Sequence, residues 1–272
     1  VTEALRDGIE RAVASLRDRA PLVHGITGTA TQGLVADGLL AAGARPMLTS
    51  TRAEAPTLVP IANALLVNLG SLNNDAREAI KPSVEAAVAH GIPWVLDPTA
   101  IGLAPVRTPL ARELVALAPT AVRGNASEVL TLALGAGGGH VGRGADSTIT
   151  PDAAVVAARD ISRAHGCVVA VSGAVDLVTD GRQEVRVANG HPLLTQVSGT
   201  GCLLGALSAA MVGLDDVAGV VAVVAATALL TVASERAAAN AAGPGSFRIR
   251  LLDELNAVSS GEVALRARLT CE

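Results

Sequence analysis

Short apolar runs alternate with longer stretches of helical periodicity along the first two thirds of this chain, and that alternation constrains the fold more than any other feature. The runs fall at residues 22–26, 46–48, 64–68, 94–97, 121–123 and 167–172, with helical patterns at 31–42, 75–90 and 109–117 between them. Strands apolar on both faces must be covered on both faces. The pattern therefore predicts an α/β protein with a mainly parallel central sheet and helices on each side. Residues 175–179 and 184–187, split by Asp180 and Gly181, read as a hairpin at the edge of the sheet. Helices at 201–212, 216–240 and 246–258 finish the chain, and no linker or repeat divides it, so one domain over residues 1–272 is expected.

Composition excludes several function classes. Hydrophobic residues make up 50% and charged residues 17%, more apolar material than a solvated monomer needs, so part of it is expected to face a partner subunit. One Trp, one Phe and no Tyr leave no aromatic platform for single-stranded nucleic acid. A net charge of −4, with Lys81 the only lysine, gives no basic stripe for a duplex. Cys167, Cys202 and Cys271 show neither a C-x-x-C pair nor a histidine at metal-ligand spacing, which fits a reducing, cytoplasmic setting. Near the start, Leu5, Ile9, Val13 and Leu16 form one apolar face interleaved with charges, as in an amphipathic helix rather than a signal peptide. Residues 217–234 carry no charge over 18 positions, the lower limit for a bilayer span. Their Ala, Val, Gly, Thr and Ser composition suits close helix packing instead, so a buried helix and no membrane are expected.

Ligands of open α/β sheets bind outside the carboxyl ends of the strands. That rule gathers His24, Asn68, Asp97, Arg123 and Ser172, each read at or just past a strand end, on one rim. The turn Val197-Ser198-Gly199-Thr200-Gly201-Cys202 then runs straight into an apolar helix. Its amides would face an anion, because the first helical N–H groups lack internal partners and the helix dipole favours negative charge there. Cys202, in the first turn, is expected to have a lowered pKa. Taken singly, Asn125 and Glu128 also satisfy a capping box, and Asp97-Pro98 also opens a turn. Residues 135–144 formally contain G-x-G-x-x-G but follow a helix instead of a strand, so they read as a glycine loop; Asp146 beside it reads equally as a loop cap or a nucleotide contact. A Walker A sequence is absent.

Taken in order, His24-Gly25-Ile26-Thr27, Asn68-Leu69-Gly70-Ser71-Leu72, Leu96-Asp97-Pro98, Arg123-Gly124-Asn125-Ala126-Ser127-Glu128, Gly190-His191-Pro192-Leu193, Gly199-Thr200-Gly201-Cys202 and Gly245-Ser246-Phe247 resemble the hydroxyethylthiazole kinase family. The resemblance implies a three-layer ribokinase-like fold. It also implies transfer of the ATP γ-phosphoryl to the primary alcohol of 4-methyl-5-(2-hydroxyethyl)thiazole in thiamine salvage, and a homotrimer. Arg123 and Ser172 fall on nucleotide-binding positions and Met47 and Gly199 on thiazole-binding ones. Thr195 is a lesser candidate near the nucleotide, and His24 and Asn68 are candidates to line the substrate. Asp97 and Glu128 would hold Mg2+ directly or through water, and Gly199, Thr200 and Gly201 would receive the moving phosphoryl. Cys202 stands where the wider group carries an aspartate base. The thiazole side departs from the family pattern: Gly28, Gly33 and Asp37 occupy usual asparagine positions, which leaves a related small alcohol open as substrate. Two other classes remain: a dehydratase repairing hydrated nicotinamide nucleotides, which uses an aspartate where Cys202 stands, and a non-catalytic oligomer that binds nucleotide or thiazole.

Overall fold

The computed structural model describes residues 2–134, 150–217 and 219–272. The glycine run at 135–144 and Asp146 lie outside the described residues. The chain proceeds as α1 (Thr2–Arg19), β1 (Leu22–Ile26), α2 (Gln32–Ala42), β2 (Arg45–Met47), the single turn α3 (Ala55–Leu58), β3 (Ala64–Asn68), α4 (Asn74–His90), β4 (Trp94–Asp97), α5 (Arg107–Val115), β5 (Ala121–Asn125) and α6 (Ala126–Ala133). It continues as α7 (Pro151–His165), β6 (Val168–Ser172), β7 (Asp176–Thr179), β8 (Glu184–Val187), α8 (Thr200–Val212), α9 (Gly219–Ala238), α10 (Pro244–Ala257), α11 (Ser260–Arg266) and β9 (Leu269–Cys271). The strands form one sheet in the order β2-β1-β3-β4-β5-β6-β7-β8-β9. Pairing is parallel from β2 to β6 and antiparallel from β6 to β9.

Alternation along each strand divides the core in two. Val23, Leu66, Val95, Ala121 and Ala170 pack under α1, α2, α8, α9 and α10, while Leu65, Val67, Leu96, Val122 and Val169 pack against α4 to α7 on the other face. Both faces are therefore dry, which explains why the central strands read as unbroken apolar runs. Left-handed glycines at 43, 91 and 166 end α2, α4 and α7 and turn the chain back toward the sheet.

The uncharged stretch is α9, and 83% of its most apolar window is buried inside the protein. It packs among α1, α8 and α10. Thr227 and Thr231 donate to the carbonyls of Val223 and Thr227, so their hydroxyls need no outside partner. The structure adds elements beyond the expectation: the single turn α3, helix α7, the short α11, and strand β9, which closes the antiparallel edge against β8.

Register sets up the rim. Asn68 pairs with Asp97 across β3 and β4, and Asn125 pairs with Ser172 across β5 and β6. Helix α8 lies over β1, β3, β4 and β5, bringing its first turn to their carboxyl ends.

Candidate active site

Gly199 takes φ of 95°, a left-handed conformation that L side chains rarely adopt, and swings the chain into α8. The first amide of the helix taken by its own backbone is that of Leu203, bonded to Gly199 O at 2.8 Å. Thr200, Gly201 and Cys202 precede it, and their N–H groups form the helix's positive end. The Thr200 hydroxyl points back, donating to Leu194 O at 2.8 Å, so only its amide faces outward from the turn.

Two close approaches join this turn to the sheet. A methyl group on Gly201 would lie 2.7 Å from Arg123 Nη1 and 3.1 Å from its Cζ, so the guanidinium rests directly on the helix backbone. A methyl group on Gly205, one turn on, would lie 3.1 Å from Asp97 Oδ2. Arg123 in turn donates from Nη2 to Ser172 Oγ at 3.0 Å and stands 3.6 Å from Asp97 Oδ2. Arg123 projects from the middle of β5 rather than its end, because the strand continues to Asn125.

Asp97 is fully buried, and its Oδ1 accepts from the Thr99 hydroxyl at 2.6 Å while its Oδ2 has no hydrogen-bond partner. Glu128 is held by backbone: Oε1 accepts from Ala100 N at 2.7 Å and Oε2 from Asn125 N at 2.8 Å. Asn125 returns the contact to Glu128 N, so the capping box does exist, and it serves to aim a buried carboxylate. Burial, and then the neighbouring Asp97, push Glu128 up to about 7. Burial likewise raises Asp97 against the opposing pull of Arg123.

Cys202 is the third residue of α8 and lies between the side chains of Thr31 and Asn68. Its pKa is raised, correcting the expectation of a lowered one. Burial and the Asp97 carboxylate outweigh the help of Thr31, Arg123 and Asn68.

Other candidates are placed less centrally. His24 is not on the rim: it is mid-strand in β1, fully buried, with Nε2 3.0 Å from Thr49 O, and burial lowers its pKa. Met47 lies beside it on edge strand β2 and is partly exposed. Asn68 is on the rim but only 1% exposed; its Oδ1 accepts from Gly70 N and its Nδ2 donates to Thr99 Oγ1. Thr195 is exposed and donates to Pro192 O within its own turn, with no bond to the cluster. His191, without a role from sequence, caps that turn by accepting from Leu193 N.

Sequence reasoning missed three side chains here. Thr31 read only as the start of the helical pattern at 31–42, and Thr99 was assigned nothing. Asp176 read as the start of a hairpin, yet it is 7% exposed, accepts from Gly173 N at 2.9 Å, feels Arg123, and is pushed up to about 6 by burial. The pattern Ser172-Gly173 followed by an acid three residues on from the glycine was the available signal.

For a divalent cation the donor chemistry fits. Asp97, Glu128 and Asp176 all act on the guanidinium of Arg123, so ionising all three would leave negative charge in excess, and Asp97 Oδ2 takes no hydrogen bond. Among the described residues no group of three His, Cys, Asp or Glu forms a metal cage. Mg2+ in nucleotide sites needs none, since it binds through one or two carboxylates, water and substrate phosphates.

A mainly parallel sheet whose carboxyl rim carries a helix start, a buried arginine and paired carboxylates is the arrangement of an α/β protein suited to binding a phosphorylated ligand. The hydroxyethylthiazole kinase family model matches residues 13–261. The hydroxyethylthiazole kinase of Clavibacter sepedonicus is 49% identical, covering 94% of this chain and 91% of that protein. That of Kineococcus radiotolerans is 50% identical over 93% and 90% respectively. The solved hydroxyethylthiazole kinase protein from Pyrococcus horikoshii OT3 superimposes with a TM-score of 0.88 at 32% identity, covering 97% of this chain and 98% of its own. The chain belongs to the hydroxyethylthiazole kinase family. Bacillus subtilis pyridoxal kinase, 18% identical with a TM-score of 0.61 over 79% of this chain and 92% of its own, shares the fold.

Proposed function

We propose that this chain, as one ribokinase-like domain, transfers the γ-phosphoryl of ATP to the primary alcohol of 4-methyl-5-(2-hydroxyethyl)thiazole in thiamine salvage. The observation that carries the reading is the stacking of Arg123 on Gly201 beside Asp97 Oδ2, which takes no hydrogen bond. Phosphoryl transfer asks a protein mainly for alignment and for stabilisation of charge on the moving group. The amides of Thr200, Gly201 and Cys202 meet that charge from the helix side, with Gly199 supplying the bend. Arg123, steadied by Ser172, meets it from the sheet side and binds the nucleotide phosphates.

Asp97, and Glu128 directly or through water, would hold Mg2+, which neutralises phosphate charge when bound. Cys202 contacts the alcohol. In the resting site its thiol is protonated, because burial and Asp97 both oppose the thiolate. Once the charge of Asp97 is compensated, that opposition falls, the thiol can lose its proton to solvent, and the resulting thiolate can take the proton that the alcohol releases late in a loose transition state.

On the substrate side, Met47 and the Gly199 turn are proposed to hold the thiazole. A side chain on Gly28 would strike Gly70 O at 2.3 Å, so the usual asparagine has no room there. Gly33, by contrast, opens onto free space, and with Asp37 and Leu40 it lies on an exposed face of α2. That open face supports a homotrimer in which a neighbouring subunit completes the pocket. A cytoplasmic location is proposed with it.

Purified protein incubated with ATP, Mg2+ and the thiazole alcohol should yield ADP and a product heavier by one phosphoryl group in mass spectrometry. No turnover with this alcohol or with a panel of related ones would overturn the kinase reading.

A further inference from the structure

The buried side chains behind Asp97 form a hydrogen-bond chain that can run in one direction only. Gly70 N donates to Asn68 Oδ1 at 2.8 Å, which fixes the amide so that Nδ2 faces the other way. Asn68 Nδ2 then donates to Thr99 Oγ1 at 3.1 Å. With its acceptor face engaged, the Thr99 hydroxyl sends its single proton to Asp97 Oδ1 at 2.6 Å. The packing is close as well: a side chain on Gly70 would lie 2.9 Å from Asn68 Oδ1 and 3.3 Å from Thr99 Cγ2.

From this we infer that Thr99 is a positioning residue that, with Asn68 behind it, pins Asp97 Oδ1 and leaves Oδ2 as the oxygen presented to a divalent cation. The inference rests on the reading of Asp97 as a cation ligand and adds what orients it. A carboxylate free to rotate could turn either oxygen toward Arg123 Nη1, 3.6 Å away. Held by Thr99, it keeps Oδ2 turned toward Arg123 and the side-chain-free backbone of Gly205, and Oδ2 takes no hydrogen bond there. Residues that orient a metal ligand through hydrogen bonds typically change metal affinity by about 10- to 100-fold when removed.

The test uses Thr99→Val, which keeps the shape and removes the hydroxyl, and Thr99→Ser, which keeps the hydroxyl. The readout is Mn2+ affinity of the full-length protein in the presence of ADP, followed by electron paramagnetic resonance, with Asp97→Asn measured alongside. Thr99→Val should weaken Mn2+ binding about tenfold or more, Thr99→Ser should bind within about threefold of the parent, and Asp97→Asn should bind more weakly still. In steady-state assays Thr99→Val should raise the Mg2+ concentration needed for half-maximal rate, while the KM for the alcohol stays unchanged. Parent-like Mn2+ affinity in Thr99→Val, with binding lost in Asp97→Asn, overturns the role of Thr99 and spares that of Asp97. Parent-like affinity in both overturns both. A Thr99→Ser protein as weak as Thr99→Val also sinks the inference, since packing rather than the hydroxyl would then be responsible.

Discussion

Gly201→Ala isolates the contact on which the proposed chemistry depends. The added methyl would meet Arg123 Nη1 at 2.7 Å, whereas ordinary contact begins near 3.4 Å, so the guanidinium must retreat by roughly 0.7 Å. Backbone strain does not enter, because Gly201 lies inside α8 and outside the left-handed region. Arg123 is the flexible partner, and it yields at the expense of its other contacts, the 3.0 Å bond to Ser172 and the 3.6 Å approach to Asp97. A hydrogen bond to a charged group contributes about 1.5–3 kcal/mol, and a misplacement near 1 Å in a phosphoryl-aligning group costs about a hundredfold in rate. The expected loss in kcat/KM for ATP is therefore about 10- to 100-fold. Stability should hardly fall, since alanine in place of glycine in a helix is worth about 0.4–1 kcal/mol in the opposite direction. Gly261→Ala supplies the control. It occupies the same second position of α11, and its methyl would lie no closer than 3.4 Å to Glu10 Oε1, so kinetics should match the parent. Steady-state kinetics against ATP and a thermal melt decide the matter. A Gly201→Ala enzyme with parent kcat/KM would refute the argument, and one that fails to fold would show that Arg123 is not the yielding partner.

Cys202→Ala should slow turnover by roughly ten- to a thousandfold, the scale of general-base loss, while Cys202→Asp should stay active; an inert but folded Asp variant that still binds both substrates contradicts the role. Glu128 and Asp176 make the metal-free protein more stable in acid. Their folded values of about 7 and about 6 lie above the ordinary carboxylate range, so the folded state holds the extra protons, and this stability is full below pH 4 and lost as pH rises through 6 to 7. For Glu128 the difference from its ordinary 4.5 corresponds to about 3 kcal/mol at ~1.4 kcal/mol per pH unit. Urea unfolding at pH 5 and pH 8 should show Glu128→Gln flattening the dependence; an unchanged slope in that variant means the carboxylate is not forced neutral.

Much of this architecture is legible because burial on both faces leaves a mark in local sequence: the runs at 64–68 and 94–97 can hardly be anything but inner strands. Strand β9 leaves no such mark. Leu-Thr-Cys is an edge segment set by its pairing with β8, far back in the chain. The same divide runs through the site. The helix start at Gly199 and the carboxylate at Asp97 are set by neighbours in sequence and were found. The titration of Cys202, the depth of His24 and the engagement of Asn68 depend on what α8, β2 and the β4 turn bring from elsewhere. A helix N-terminus announces a lowered thiol pKa locally, but burial, and then Asp97 from more than a hundred positions away in sequence, reverse it.

The charge arrangement around Arg123 points the same way as the glycines. Burying one guanidinium among three carboxylates is costly unless the surplus negative charge is compensated, and well-packed apolar residues would serve stability better. At two places where α8 crosses these charges, Gly201 over Arg123 and Gly205 over Asp97, the helix also gives up a side chain and the helical propensity that goes with it. Neither sacrifice improves the core. Together they bring backbone amides, a guanidinium and a carboxylate oxygen that takes no hydrogen bond side by side, which suits the proposed ligand with its phosphate and divalent ion. The fold has thus forgone local stability where the sheet's carboxyl ends meet α8, and nucleotide with its metal is the occupant whose charges would restore the balance.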